Sequence, residues 1–242
     1  IIVRRDMAIE GMASLLSGLD AIPSIAEEII VRRDMAIAEY AGSPVRITHI
    51  STKGSVEAIS VAKQRYAGIT SDTCPHYFTL TDQATLGFDT NTKVNPPLRS
   101  RADVDAIKEG LRNDTIDIIA TDHAPHDATS KDVEFNLATF GISGFETAFS
   151  LSLSLVHEGV LTLKNLLKKF TEMPAKFLKL PYGELKSGQP ADIIIFNPHV
   201  KWVVDRTQFL SKGKNTPFHG WTLKGKNLVT IVDGKIVYRE SF

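Results

Sequence analysis

The sequence predicts an α/β protein with a parallel sheet, followed by a smaller β region. Short apolar runs alternate with stretches of helical spacing between residues 45 and 121, and such alternation is typical of parallel sheets whose strands are joined by helices. From about Gly183 the chain changes to short strands separated by turn residues. We therefore expect an α/β part over residues 1–182 and a β part over residues 183–242.

A nine-residue segment occurs twice near the start of the chain. Residues 1–9 read IIVRRDMAI, and the same letters recur at 29–37, although the sequences that follow are unrelated. Repeat architectures carry their period through the whole chain, so we interpret the first copy as a duplication or an artefact. The second copy lies in a predicted helix, which begins with a capping-box pattern at Ser24 and Glu27 and ends before Gly42.

The remaining elements follow from the spacing of apolar and turn residues. We predict strands at 45–51, 68–74, near 92–95 and at 116–121. We predict helices at about 55–65 and 101–112, and two more within 144–180, the second beginning near Thr162. The β part has a turn and a strand at 188–196, a strand at 201–205 and two strands within 228–238. The last two are joined by Asp233 and Gly234, a strong hairpin signal.

The composition gives no reason to expect nucleic acid or a membrane as a partner. Lys and Arg together number 28, as do Asp and Glu, so the formal net charge is zero. No apolar run approaches the roughly 20 residues of a membrane span, and the first residues do not resemble a secretory signal. Cys74 is the single cysteine, and we interpret it as a small buried apolar residue. We expect a soluble, cytoplasmic protein.

Three predicted strands end in side chains that commonly bind metals. His49, His76 and Asp122 each follow an apolar run, and the carboxyl ends of parallel strands meet at the same edge of a sheet. Imidazole and carboxylate are ligands that hold catalytic zinc with an open position for water. A lone histidine is more often structural, and Asp122 could instead cap a helix. The shared position at strand ends favours a metal site.

Six segments along the chain resemble the amidohydrolase superfamily and, within it, the class I dihydroorotases. They are residues 48–55, 74–76, 94–99, 120–126, 140–147 and 211–218. The resemblance extends from about Glu10 to the end of the chain. It implies a (β/α)8 barrel with a small β-sandwich, of which this chain would hold strands five to eight, their helices and part of the sandwich.

The resemblance also implies roles for the strand-end residues. His49 and His76 match ligands of one ion of a two-zinc site, and Asp122 matches a carboxylate that contacts the metal. Asp122 would take a proton from the attacking water and give it to the leaving nitrogen of a cyclic amide. His123 adjoins this carboxylate and is expected to face away from it as a structural residue.

Four further residues match the substrate-binding positions of the family. His126 would hold the substrate carboxylate and Asn95 the pyrimidine ring, with Phe140 and Gly141 contributing main-chain groups. From the residues alone, Asn95 could simply form a turn before the following proline. The family usually has proline before its Phe-Gly pair, whereas Thr139 stands here.

The resemblance implies a dihydroorotase, which interconverts N-carbamoyl-L-aspartate and L-dihydroorotate in pyrimidine synthesis. The chain contains no His-x-His pair, and no residue matches the family's acidic metal bridge or its substrate-binding arginine. We therefore expect the chain to be incomplete and inactive alone, and to form a homo-oligomer or to pair with a missing amino-terminal half. The alternatives are a non-catalytic scaffold for another pyrimidine-pathway enzyme and, less favoured, an allantoinase or dihydropyrimidinase.

Overall fold

The computed structural model describes residues 9–240, which form two compact units. The first unit comprises the described residues up to Glu146 together with Arg206–Pro217, and the second comprises Thr147–Asp205 and the described residues from Phe218 onward. The first copy of the repeated nonapeptide lies, except for Ile9, outside the described residues. The predicted domain boundary after residue 182 stays a prediction.

Helices and parallel strands make up most of the first unit. Its elements are α1 (Gly11–Ser17), α2 (Ser24–Ala41), β1 (Val45–Ile47), α3 (Lys53–Lys63), β2 (Ile69–Thr73), α4 (Pro75–Thr79), α5 (Arg101–Arg112) and β3 (Ile118–Ile119). Short 3-10 helices occupy Asp82–Thr85, Thr90–Thr92 and Arg206–Gln208. Among the described residues, no helix combines the length and the apolar character needed to cross a bilayer.

The first unit contains a parallel sheet with the strand order β1-β2-β3. Val45 pairs with Ile69 and Asp72 pairs with Ile118, both in parallel register. Helix α3 packs against α2 and α5, and its residues Val56, Ile59 and Ala62 are buried. The α/β class with a parallel sheet is therefore confirmed, and the three carboxyl ends lie at one edge.

The strand predicted near 92–95 is wrong. Val94 and Asn95 lie in an irregular segment that follows the 3-10 helix at Thr90–Thr92, and β3 pairs directly with β2. Pro96 and Pro97 lack the N–H groups that a strand at this place would need for its ladder. The strands predicted at 45–51 and 116–121 exist but are shorter, with three and two residues.

The helix that contains the second nonapeptide copy begins differently from the prediction. Pro23 is the N-cap residue of α2 and Ser24 is its first residue, so the capping box predicted for Ser24 and Glu27 is wrong. The main-chain N–H and hydroxyl of Ser24 instead donate to the Glu10 carboxylate. The predicted end is confirmed, because Gly42 closes the helix with a φ of 61°.

The second unit combines helices with an antiparallel sheet. Its elements are α6 (Phe145–His157), which begins in the first unit, α7 (Leu163–Phe170), α8 (Glu172–Leu178), β4 (Ile193–Val203), β5 (Thr222–Val232) and β6 (Lys235–Arg239). Thr162 is the N-cap residue of α7, as predicted, although a third helix, α8, follows. The two strands predicted within 188–205 form one strand with a register shift between Asn197 and Lys201. The hairpin at Asp233 and Gly234 is confirmed, since both residues have positive φ.

Candidate active site

The structure brings the three predicted metal ligands together at the carboxyl edge of the parallel sheet. The Nε2 atom of His49 lies 3.6 Å from Oδ1 of Asp122, and Nε2 of His76 lies 4.0 Å from Oδ2 of the same carboxylate. His49 follows β1, His76 follows β2 and Asp122 follows β3, each within three residues of the end of its strand. His49 and Asp122 both have positive φ, at 61° and 46°, a conformation that non-glycine residues seldom adopt outside tight turns and functional sites.

Asp72 supports the ring of His49 from beneath. Its Oδ1 atom accepts a hydrogen bond from the main-chain N–H of His49 at 2.9 Å and lies 3.2 Å from Nδ1 of the same residue. Its Oδ2 atom accepts from Nε of Arg46 at 2.7 Å. If Nδ1 of His49 carries the proton and donates it to Asp72, the lone pair lies on Nε2 and is available to a metal ion. Carboxylates commonly orient metal-binding histidines in this way. Sequence analysis missed Asp72, although it also lies near a strand end.

Electrostatics distinguish the two histidines. The hydrogen bond with Asp72 raises the pKa of His49, burial opposes this shift, and the charge of Asp122 adds to it. Burial lowers the pKa of His76 to about 3, with His49 contributing in the same direction. The His76 ring is therefore neutral at ordinary pH and offers a lone pair to a cation.

Nε2 of His76 is a buried polar atom without a hydrogen-bond partner among the described residues. The residue is 3% exposed, and an unsatisfied buried acceptor costs free energy unless something fills the position. Two imidazoles and one carboxylate are suitable donors for a divalent cation such as zinc. The residues present thus fit the metal that the resemblance implies.

The environment of Asp122 suits a group that transfers protons. Burial raises the pKa of its carboxyl group, the charge of Asp72 raises it further, and His49 offsets part of the shift. A raised pKa moves a carboxylic acid toward neutral pH, where it can both accept and return a proton.

Cys74 lies inside the same cluster. It is fully buried, as predicted, and burial raises the pKa of its thiol. Its Sγ atom lies 3.1 Å from Nδ1 of His49. Possible ligand atoms of Cys74, His76 and Asp122 all lie within 4.8 Å of one another. The interpretation as a small apolar residue missed this proximity.

His123 turns away from its neighbour Asp122. Its Nδ1 atom accepts hydrogen bonds from the main-chain N–H groups of Gly144 and Phe145, at 3.1 and 3.3 Å. The ring stacks on that of Phe145, with centroids 3.7 Å apart. The structural role expected for His123 agrees with these contacts, because they satisfy N–H groups at the start of α6.

Three of the four predicted substrate-binding residues lie together. Nε2 of His126 donates to the carbonyl oxygen of Phe140 at 2.8 Å, since that carbonyl can only accept. The N–H of Gly141 donates to the carbonyl of Lys93 at 2.9 Å. Gly141 has a φ of 133°, and a Cβ atom there would lie 2.5 Å from that of Ala124, so only glycine fits.

Asn95 lies elsewhere in the first unit. It is exposed and lines a cavity of about 310 Å³ together with Glu27, Arg46 and Arg99. His126 lines a different cavity, of about 730 Å³, with Lys131 and neighbouring loop residues. The structure therefore does not bring Asn95 into the cavity that His126 lines.

Asn215 connects the segments that carry the predicted substrate-binding groups. Its Oδ1 atom accepts from the His126 N–H at 2.8 Å and from the Ser143 hydroxyl at 2.9 Å. Its Nδ2 atom donates to the carbonyls of Ala124 and Gly141, both at 3.0 Å. This buried amide is fully satisfied. Its place in segment 211–218 was part of the resemblance, but its role could not be read from the sequence.

A buried ion-pair network lies beside the end of β1. Arg99 is 2% exposed, and its guanidinium contacts the carboxylates of Glu10 and Glu27. It also donates to the carbonyl of Ile22 at 2.7 Å and to the hydroxyl of Ser51 at 3.0 Å. Because the guanidinium is buried and both carboxylates are partly buried, the network depends on every partner being present.

These observations define the class: an α/β protein with a candidate metal site at the carboxyl edge of its parallel sheet. The sequence pattern of the amidohydrolase family matches residues 19–237, and the chain belongs to this family.

Among curated proteins, the chain is similar to dihydroorotases, as predicted. It is 54% identical over 231 residues to the dihydroorotase of Syntrophus aciditrophicus, covering 96% of this chain and 54% of that protein. It is 52% identical over 230 residues to the dihydroorotase of Citrifermentans bemidjiense, covering 95% of this chain and 54% of that protein. The chain thus spans about half the length of the curated relatives that it matches.

The fold also resembles solved structures of other proteins. The L-hydantoinase (dihydropyrimidinase) of Arthrobacter aurescens superposes with a TM-score of 0.86 at 29% identity, over 91% of this chain and 50% of that one. The dihydropyrimidinase of Brevibacillus agri NCHU1002 superposes with a TM-score of 0.85 at 22% identity, over 90% of this chain and 49% of that one. The second likeness concerns the fold alone.

Proposed function

We propose that this chain carries part of the active site of a dihydroorotase, an enzyme that interconverts N-carbamoyl-L-aspartate and L-dihydroorotate. One observation carries the proposal. The Nε2 atoms of His49 and His76 lie 3.6 and 4.0 Å from the carboxylate of Asp122, in a chain that is 54% identical to a dihydroorotase over 96% of its length.

We assign the chemistry to Asp122 and the ion binding to all three residues. When bound, a divalent cation would activate water and polarise the carbonyl of the cyclic amide. Asp122 accepts a proton from the attacking water and donates it to the ring nitrogen as the carbon–nitrogen bond breaks. The pKa of its carboxyl group, raised by burial, supports this exchange in both directions of the reaction.

We propose zinc as the metal, with His49 and His76 holding one ion of a two-ion site. The His-x-His pair, the acidic bridge and the substrate-binding arginine of the family have no counterpart in this chain, so the chain holds a partial site. His126, Asn95 and the main chain of Phe140 and Gly141 are assigned to the substrate. Asn95 lines a different cavity from His126.

We assign the parallel strands β1–β3 to the range of strands five to eight in a (β/α)8 barrel, and the antiparallel strands to part of a small β-sandwich. Residues 1–182 and 183–242 would be the corresponding domains. Homo-oligomer formation, pairing with an amino-terminal half and a cytoplasmic location stay predictions.

Two measurements on the purified chain of 242 residues test the proposal. We expect less than one tightly bound zinc ion per chain and no ring opening of dihydroorotate. Addition of a polypeptide corresponding to the unmatched half of a relative should restore turnover, and Asp122→Asn in the same mixture should abolish it. Normal turnover by the chain alone would contradict the proposed partial site.

A second candidate function is a non-catalytic scaffold for another enzyme of pyrimidine synthesis. Failure of the added half to restore turnover would support it. Hydrolysis of dihydropyrimidines or hydantoins is a third candidate, suggested by the structure of the L-hydantoinase (dihydropyrimidinase). Segments 95–99 and 215–218 favour dihydroorotate instead, and a panel of cyclic amides would distinguish these substrates.

A further inference from the structure

Two lysines beside the proposed substrate-binding groups are buried, and the reaction described above uses neither of them. Lys93 is fully buried, and Lys131 is 6% exposed. Lysine ammonium groups seldom leave water unless protein acceptors replace the lost hydration. The acceptors of the two ammonium groups therefore indicate which parts of the chain these side chains hold together.

The ammonium group of Lys131 joins two segments through their main-chain carbonyls. Its Nζ atom donates to the carbonyl oxygen of Thr139 at 2.8 Å and to that of Thr90 at 3.0 Å. The hydroxyl of Thr90 donates in return to the carbonyl of Lys131. The N–H of Thr139 donates to the carbonyl of Ser130 at 3.1 Å. Residues 130–139 are thus closed into a loop that Lys131 connects to Thr90.

Lys93 makes a second connection between the same parts of the chain. Its Nζ atom donates to the carbonyl oxygen of Asn136 at 2.9 Å. The same atom lies 4.7 Å from the centroid of the Phe140 ring, where the ring face attracts a cation. The main-chain carbonyl of Lys93 accepts from the N–H of Gly141 at 2.9 Å. Both the side chain and the main chain of Lys93 therefore contact the segment that contains the Phe-Gly pair.

The Lys131 ammonium keeps its charge at neutral pH despite its burial. Burial, with a smaller contribution from the charge of Lys93 and with Asp89 in opposition, lowers the pKa of Lys131 to about 8. A charged donor makes stronger hydrogen bonds than a neutral one, and a buried carbonyl that loses its donor is destabilised. An apolar residue in place of Lys131 should therefore release the main chain at Thr139.

We propose that Lys131 is a positioning residue: together with Lys93, it holds the main chain at Thr139 so that Phe140 and Gly141 present their main-chain groups to the substrate. Thr139 immediately precedes Phe140, so a shift of its carbonyl also moves the next planar peptide unit. Displacement of a binding group by about 1 Å can cost about 100-fold in rate. The consequence for the substrate rests on the proposed function, whereas the connection between the two segments does not.

Hydrogen–deuterium exchange of the purified chain tests the connection without any turnover. In Lys131→Met, the N–H groups of Thr139 and Gly141 should exchange about tenfold faster or more. The N–H groups of α2 and α3 should keep their wild-type rates, which verifies the fold. Lys212 is exposed and lines the same cavity as Lys131, so Lys212→Met is the matched control and should leave all these rates unchanged. Unchanged exchange at Thr139 and Gly141 in Lys131→Met would overturn the proposal.

A second variant separates the role of the ammonium group from a general loss of structure. Lys131→Ala leaves space for propylammonium, because this ion carries the same atoms as lysine beyond Cβ. Propylammonium should restore slow exchange at Thr139 and Gly141, whereas tetramethylammonium, which has no N–H group, should not. Equal effects of the two ions would overturn the proposal, since charge and bulk alone would then be sufficient.

Kinetics of the chain mixed with the added half test the consequence for the substrate. Lys131→Met should raise KM for dihydroorotate about tenfold and lower kcat less than about threefold, because Asp122 keeps its position. A lower kcat with an unchanged KM would overturn the positioning role. Faster exchange in Lys131→Met, in a mixture whose wild type opens no ring, would support the connection made by Lys131 and contradict the proposed function.

Discussion

Asn215 and His126 are joined by a 2.8 Å hydrogen bond, in which the side-chain oxygen of Asn215 accepts from the main-chain N–H of His126. The amide nitrogen of Asn215 donates to Ala124 and Gly141 on either side. One side chain therefore fixes both segments that carry the proposed substrate-binding groups. The geometry of those segments depends on a residue 89 positions later in the chain.

Asn215→Ala should destabilise the protein by about 2–4 kcal/mol, because two buried carbonyls and the His126 N–H lose their partner. We expect a larger rise in KM than fall in kcat, since the proposed substrate contacts lose their positions while Asp122 remains. Urea unfolding of the chain measures the first effect, and steady-state kinetics of the chain mixed with the added half measure the second. Asn165 is exposed in α7 and offers a control, and Asn165→Ala should change stability by no more than about 0.5 kcal/mol. Equal effects of the two variants would contradict the role of Asn215.

Arg99→Met should lower the free energy of unfolding by about 3–5 kcal/mol, because it leaves the partly buried carboxylates of Glu10 and Glu27 without their cation. Thermal and urea denaturation measure the change. Arg101→Met is the control: Arg101 is exposed and pairs loosely with Asp105 at 3.9 Å, so we expect a loss of no more than about 0.5 kcal/mol. A small effect of Arg99→Met would mean that water replaces the guanidinium without penalty.

Asp72→Asn should weaken zinc binding by about 10–100-fold, because the neutral amide no longer holds the proton on Nδ1 of His49. Competition with a chromophoric chelator measures the affinity. The exposed Asp105, in helix α5, provides the control, and Asp105→Asn should leave the affinity unchanged. If Asp72→Asn bound zinc as tightly as the wild type, the orientation of His49 would not depend on this carboxylate.

The His76 imidazole should destabilise the metal-free protein as the pH falls below about 6.5, whereas the raised pKa values of His49 and Asp122 act in the opposite direction. The His76 imidazole has a pKa of about 3 in the folded protein, because it is buried, against 6.5 as the ordinary value. Between these values the unfolded chain binds a proton that the folded protein does not, so unfolding becomes easier as acid is added. This one group contributes up to about 1.4 kcal/mol per pH unit.

Urea unfolding after chelator treatment, from about pH 7 to about pH 4.5, measures this dependence. His76→Gln should show a shallower slope than the wild type over that range. His199→Gln, at an exposed position, should keep the wild-type slope. Equal pH dependence of stability for the wild type and His76→Gln would show that the pKa of His76 is not lowered in the folded protein.

Local patterns in the sequence were enough to find His49, His76 and Asp122. Each follows a short apolar run, and parallel strands deliver their ends to a common edge. The same reasoning could have included Asp72, which lies within β2. It was missed because a polar residue inside a short strand has no pattern that separates a buried support from a solvent-facing side chain.

Long-range pairing explains the errors. Glu27 fits a capping box with Ser24 by spacing alone, yet its carboxylate accepts hydrogen bonds from Ser51 and Thr52, more than twenty residues away. The segment near Val94 appeared to be a strand by composition, but β2 has β3 as its neighbour instead. Neither choice of partner is encoded within a few residues, so the sequence pattern could not decide it.

Asp122 and His123 are consecutive, yet one carboxylate lies beside two imidazoles while the next ring anchors the start of α6. Because a single planar peptide unit separates the two residues, covalent geometry limits the distance between the Asp122 carboxylate and the start of α6. Length variation among related chains should therefore concentrate in exposed loops such as residues 127–129. One residue inserted between Asp122 and His123 would move the carboxylate away from His49 and His76 while His123 keeps its contacts with the start of α6.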